Sequence, residues 1–300
     1  MGKAYKIILS VAGLLGISCV VLLVYYIFQY STYTSVKEAI ISQLSTNFGD
    51  FVSGTIGTIL TFISTLFLFV TFRVQQVQFA KNQSEAYRQR FEGTFFNIMS
   101  MLYQVRTEVN QQISLNSKDK SKNLFDFYYS FVKFYNQKID KESDLKSSMT
   151  ILLKDNCQKT ELETAMYDLG HVYDEYVDSQ GCNAGFFFRY IHNLIIFVIH
   201  HWKDKEHSED AIDYLNFIQA QLTNEELALL FYDSISRNGM DKKRVYTFKE
   251  NMDKYSFLEN IPEYILADRN HYKIFSHTMF KFLNDDERKK VITMVNTKGQ

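Results

Sequence analysis

The sequence predicts a membrane-anchored, all-α protein in which two N-terminal transmembrane helices are followed by a cytosolic helical domain. Three observations carry that reading. Two uncharged apolar runs of 22 residues, at about 7–28 and 51–72, are each long enough to cross roughly 30 Å of hydrocarbon at about 1.5 Å per residue. Breakers are scarce, with a single proline (Pro262) and 12 glycines in 300 residues. Beyond Arg73 the apolar residues recur at helical spacing, and no alternating strand pattern interrupts them.

The two apolar runs define a transmembrane hairpin over residues 1–72. Lys3 and Lys6 precede the first run, and Arg73, Lys81, Arg88 and Arg90 follow the second. The stretch between them carries only Lys37, offset by Glu38. Positive charge is retained on the cytoplasmic side, so both termini are expected in the cytoplasm. The first run is too long for a signal peptide, and "YYIFQYST" offers no small-residue cleavage site. Gly57, Thr61 and Thr65 recur every four residues in the second run, as do Ala12 and Gly16 in the first. Such faces let helices approach closely in lipid. They predict membrane lipid as a partner and either pairing of the two spans or a homo-oligomer formed through the same faces.

Residues 73–112 read as a stalk and first core helix, with Phe95, Phe96, Met99, Leu102, Tyr103 and Val109 as its inward stripe. Residues 113–300 read as a cytosolic all-helical domain. "SLNSKDKSKN" (114–123) is its clearest loop. Helices are expected over "LFDFYYSFVKFYNQKI", "ELETAMYDLGHVYDEYV", "DAIDYLNFIQAQL", "NEELALLFYDSIS" and "NHYKIFSHTMFKFL". Thr223 followed by Glu226 forms a capping box at the start of the fourth, and Gly239 marks its stop.

Reaction motifs are scarce. The formal net charge of −1 gives no sign of nucleic-acid binding. Cys19, Cys157 and Cys182 have no paired spacing, so neither a disulfide framework nor a structural zinc site is expected. There is no glycine-rich phosphate loop, HExxH or GxSxG, and no cofactor is expected. His200, Asp204 and His207, or His171 and Glu175, could approach as ligands, but two ligands on a helix face recur by chance and no metal is assigned. The weak catalytic candidates are Arg269 and His277 in "RNHYKIFSH". Ribonucleases of the HEPN class use an arginine and a histidine on one helix, and this pair falls one residue outside their spacing. A non-enzyme is the favoured reading, with a membrane-tethered ribonuclease and a scaffold docking a partner protein as alternatives.

"GFFFRYIHNLIIFVIHHW" (185–202) is the most apolar stretch of the C-terminal two thirds. Its longest uninterrupted apolar run is six residues, Leu194–Ile199, too short for a third span. On a helical wheel with Arg189 at zero, His200 falls at about +20°, Asn193 at about +40° and His192 at about −60°. These four form a polar seam on a core helix. Arg189 is expected either to pair with a buried carboxylate such as Glu92 or Glu226, or to line an anion- or nucleotide-contacting groove with the other three.

Three segments together resemble the phage abortive infection protein family called AbiC-like: "RFEGTFFNIMSMLYQVRTEV" (90–109), "GFFFRYIHNLIIFVI" (185–199) and "YLNFIQAQLTNEELALLFYDSI" (214–235). "YSFLENIP" (255–262) and the two-run N-terminus fit as well. Residues following the family pattern are Glu92, Phe95, Phe96, Phe188, Arg189, Gln221, Leu222, Glu226 and Leu227. His192 stands where the pattern suggests an aromatic residue. The resemblance implies defence against bacteriophage from the bacterial inner membrane, with a phage or host protein as trigger, and implies no particular reaction.

Overall fold

The computed structural model describes residues 3–33, 49–50, 54, 57–116, 121–154, 158–181, 184–202, 208–241 and 245–288. Among these the chain is mostly helical, with no strand. It divides into two compact units, Met1–Arg90 and Phe91–Gln300.

The first unit holds α1 (Lys3–Tyr33) and the beginning of α2 (Gly57–Asn116), a continuous helix of 60 residues. Among the described residues α2 alone is long and apolar enough to cross a membrane. Its most apolar stretch has a mean hydropathy of 1.8 and no buried residue. The apolar part of α1 is shorter, Gly13–Tyr25. Part of the second apolar run (51–53, 55 and 56), the side chains of Ala12 and Cys19, and residues 34–48 lie outside the described residues. Hydroxyls near the start of α2 spend their protons on backbone carbonyls one turn back. Thr58, Thr61, Ser64, Thr65 and Thr71 each donate to the backbone carbonyl four residues earlier, at 2.6–2.9 Å.

In the second unit, α2 buries Phe91, Phe95, Leu102, Val105, Val109 and Ile113. Phe96 and Tyr103, expected on the inward stripe, point outward at 51% and 72% exposure. Each lies about 100° round the helix from its buried neighbour, outside the arc that packs. Five further helices follow: α3 (Leu124–Lys141), α4 (Ser143–Ile151), α5 (Lys159–Gln180), α6 (Gly185–His201) and α7 (Ser208–Gln219). Then come α8 (Asn224–Ser234) and α9 (Thr247–Lys254). Short 3₁₀ turns occupy Arg237–Gly239, Glu263–Ile265 and Arg269–Ile274. Asn123 and Asp126 form a capping box at the start of α3, and Thr223 and Glu226 form the expected one on α8.

The centre of this unit is α8, in which every residue from Glu226 to Ser234 is buried. It packs against α3, α5, α6 and α9. A helix surrounded on all sides must be apolar or small around its whole circumference, and "LALLFY" meets that demand. One approach is especially close: a Cβ placed on Gly170 of α5 would lie 2.1 Å from the carbonyl oxygen of Ile235, just past the end of α8. Phe131 of α3 packs against Tyr173, Tyr176 and Tyr232, with ring centroids 4.7–5.4 Å apart.

Residues 270–283, expected as a helix, form a 3₁₀ turn followed by irregular chain. The physical reason lies in the backbone donors. The N–H groups of His277 and Thr278 reach the Asp253 carboxylate at 2.9 and 2.8 Å, whereas an α-helix would give them to the carbonyls four residues back. Upstream, the Asp268 side chain accepts the Asn270 N–H at 2.8 Å and starts a tight turn.

Candidate functional site

The seam on α6 proves to be its solvent edge. Phe187, Phe188, Ile191, Leu194, Ile195, Val198 and Ile199 are buried against α7 and α8. Arg189, Asn193 and His200 are exposed, and His192 is half-buried. Arg189 donates from Nε to the Gly185 carbonyl of its own helix at 3.3 Å. His192 stacks on Phe248 of α9, with centroids 3.9 Å apart, and burial lowers its pKa. The four residues share a face, but they form no buried ion pair.

Both carboxylates considered for Arg189 are engaged elsewhere. Glu226 takes a two-pronged bond from Arg106, Nε to Oε1 at 2.6 Å and Nη2 to Oε2 at 2.8 Å. Nη2 also donates to the Gln221 carbonyl at 2.7 Å. Glu226 is almost fully buried, so the guanidinium compensates a charge that would otherwise be costly. Glu92 accepts the Tyr214 hydroxyl at 3.0 Å. Phe95, Phe188, Leu222 and Leu227 are core residues, whereas Phe96 and Gln221 are exposed. Family-pattern positions in this unit therefore serve mostly to hold helices together. Arg106 sits inside segment 90–109, and a cation next to Val105 and three residues before Val109, on the apolar side of the helix, was the available signal.

His271 and Asp233 are titratable side chains buried in the core. His271 lies between two tyrosine hydroxyls, Tyr135 at 2.9 Å from Nε2 and Tyr232 at 3.0 Å from Nδ1. Tyr232 accepts the Ala267 N–H at 2.8 Å. Burial pushes the His271 pKa down to about 4, with the charge of Asp268 opposing. Asp233, near the end of α8, accepts from Asn238 Nδ2 at 3.1 Å. Burial pushes its carboxyl up to about 7; the Asn238 bond and the charge of Arg189 act against that, and the charge of Asp174 adds to it.

Arg269 and His277 are separated by the irregular backbone and serve different carboxylates. Arg269 pairs with Glu263 and, at 2.7 Å, with Glu287. His277 presents Nδ1 to Asp253 Oδ2 at 3.2 Å, and Lys249 Nζ reaches the same oxygen at 3.1 Å. Asp253 Oδ1 accepts the backbone N–H of His277, and the N–H and hydroxyl of Thr278. A carboxylate only accepts, so it fixes the proton on Nδ1 and leaves Nε2 as the available ring nitrogen. Asp253 is 3% exposed and the His277 side chain 53%. A buried carboxylate thus orients an accessible imidazole. Ser276 Oγ lies 3.4 Å from Nδ1, the nitrogen that Asp253 already holds, so no serine–histidine–aspartate relay is formed.

This imidazole borders a cleft of about 820 Å³ between the start of α5, α9 and residues 274–277. Leu162, Met166, Val245 and Ile274 form apolar lining; Tyr167, Tyr246, Lys159, Lys254, Glu163 and Glu250 supply polar groups. Among the described residues no group of three or more histidine, cysteine or acidic side chains is placed to hold a metal. His171 and Glu175 form an ordinary exposed pair at 3.3 Å, while Asp204 and His207 lie outside the described residues.

The similarity to known proteins lies in the stretch that joins α6, α7, α8 and α9. Residues 185–265 match the family model described as "Putative phage abortive infection protein". The abortive infection match takes in the polar edge of α6, the Gln221–Glu226 turn, and Lys249 and Asp253 beside the cleft. Segment 90–109, Arg269 and His277 lie outside it. No curated protein and no solved structure matches the chain.

Proposed function

We propose that the chain is a membrane-anchored antiphage protein of the abortive-infection type, acting as effector or sensor through its helical domain. The observation that carries this reading is the family match over residues 185–265, the segment that contains the central helix and two of the helices packed on it, α6 and α9. Anchoring is supported by the exposed apolar surface at the start of α2 and by the first uncharged run, in α1. With basic residues flanking both runs on their outer sides, the N- and C-termini sit in the cytoplasm of a bacterial inner membrane. Residues 1–72 are the hairpin, 73–112 the stalk and first core helix, and 113–300 the cytosolic domain. Lipid, a second copy of the chain through the small-residue faces, and a phage or host protein trigger are the proposed partners.

The test is a phage challenge of cells carrying the full chain, a chain starting at Arg73, or neither. The full chain should lower plaque formation on at least one phage of a broad panel, and the shortened chain should not at equal protein level. Protection by neither chain sinks the antiphage reading. Equal protection by both sinks the requirement for the membrane.

A further inference from the structure

We propose that the cleft bordered by His277 is a nucleotide site, with the base on its two tyrosines and the phosphate at its basic rim. Its volume, about 820 Å³, lies within the range of small-molecule sites. Apolar surface from Leu162, Met166, Val245 and Ile274 lies beside a larger set of charged and polar groups, which suits a polar ligand with one flat apolar part.

The arrangement favours a ligand with three different parts. Tyr167 and Tyr246 both line the cleft and present aromatic surface to it. The Tyr167 side chain is 58% exposed, so a base can stack on it without displacing core residues. Lys159 and Lys254 are exposed cations at the edge, and His277 presents the nitrogen that Asp253 leaves available. Lys249 is occupied on Asp253 and is nearly buried, so it sets the orientation of the dyad rather than touching the ligand.

Glu163 and Glu250 separate a nucleotide from a bare anion. Two carboxylates among the lysines make the rim close to neutral, and a free phosphate would gain little there. They are well suited to accept from the ribose hydroxyls, the use that dinucleotide sites make of an acidic residue. Affinity then requires base, sugar and phosphate in one molecule.

The inference stands on the cleft alone, so binding in vitro and the phage challenge succeed or fail separately. The full chain in detergent is titrated by calorimetry with ATP, GTP, AMP, adenosine and inorganic phosphate. At least one nucleotide should saturate, with adenosine and phosphate each weaker by about tenfold or more. Tyr167→Ala and Lys254→Ala alter exposed side chains, and each should weaken binding by about fivefold or more, about 1 kcal/mol. Tyr264→Ala, at a 77% exposed tyrosine outside the cleft, should leave it unchanged. Absence of saturation by every nucleotide up to millimolar concentration, phosphate binding as tightly as a nucleotide, or unchanged affinity in both cleft variants would overturn the assignment.

Discussion

Asp233 and His271 are both buried, and burial drives their proton affinities in opposite directions. The Asp233 carboxyl moves from 3.8 up to about 7, and the His271 imidazole from 6.5 down to about 4. Between pH 4 and 6.5 the folded Asp233 keeps a proton that the unfolded chain has released, so raising the pH costs stability through this group. Over the same interval the unfolded His271 holds a proton that the folded imidazole refuses, so raising the pH returns stability. The two slopes oppose each other up to pH 6.5, and above it only Asp233 continues to about 7. Asp233→Asn keeps an oxygen for Asn238 and removes the buried acid. The variant should melt a few degrees above the parent at pH 8, at about 2–4 °C per kcal/mol for a unit of this size. It should also lose stability steadily from pH 6.5 to 4, where the parent is nearly flat. Melting curves of the full chain across that range check both statements; a variant that copies the parent's pH profile contradicts the opposition. Arg106 and Glu226 show the same economy in another form, since each charge is tolerable only because the other is present.

Among the helices, the packing of α5 on the end of α8 leaves the least room. The Ile235 carbonyl occupies the place where a Gly170 side chain would be. Backbone cannot rotate away as a side chain can, so Gly170→Ala should cost about 3 kcal/mol, the upper end of ordinary overpacking. Denaturant unfolding measures this, and a loss below about 0.5 kcal/mol would show that the two elements separate freely. The helices that were legible in the sequence are those with local signals. The Thr223–Glu226 box started α8 where expected, and the seven buried positions of α6 are the apolar arc of its wheel. Residues 270–283 were misread because their conformation is set by Asp253, which lies far away in sequence and takes two backbone donors from the segment. The direction of Arg189 was equally illegible. The wheel placed it beside Asn193 and His200, but only the tertiary structure shows that Glu226 is taken by Arg106 and that Glu92 accepts from Tyr214. The cleft could not be read in advance for the same reason, since it joins side chains from about 159, 167, 246, 254 and 277.

At the scale of the molecule, the division at Arg90 and Phe91 separates a unit with exposed apolar helices from one with a dense aromatic core. If the first unit is embedded as proposed, alkaline carbonate washing should leave the full chain with the membrane pellet and release a chain starting at Arg73. Release of the full chain would contradict the anchor. The composition of α2 made its apolar run plain, but the use of its hydroxyls became clear only from the bonds that Thr58, Thr61, Ser64, Thr65 and Thr71 make to their own helix. Those donors are already spent. To an acyl chain or a neighbouring helix, that side of α2 offers methyl groups, shallow steps beside glycine and oxygens that can only accept. A partner there is selected by contour, and a helix that needs to be given a proton would find none to hold.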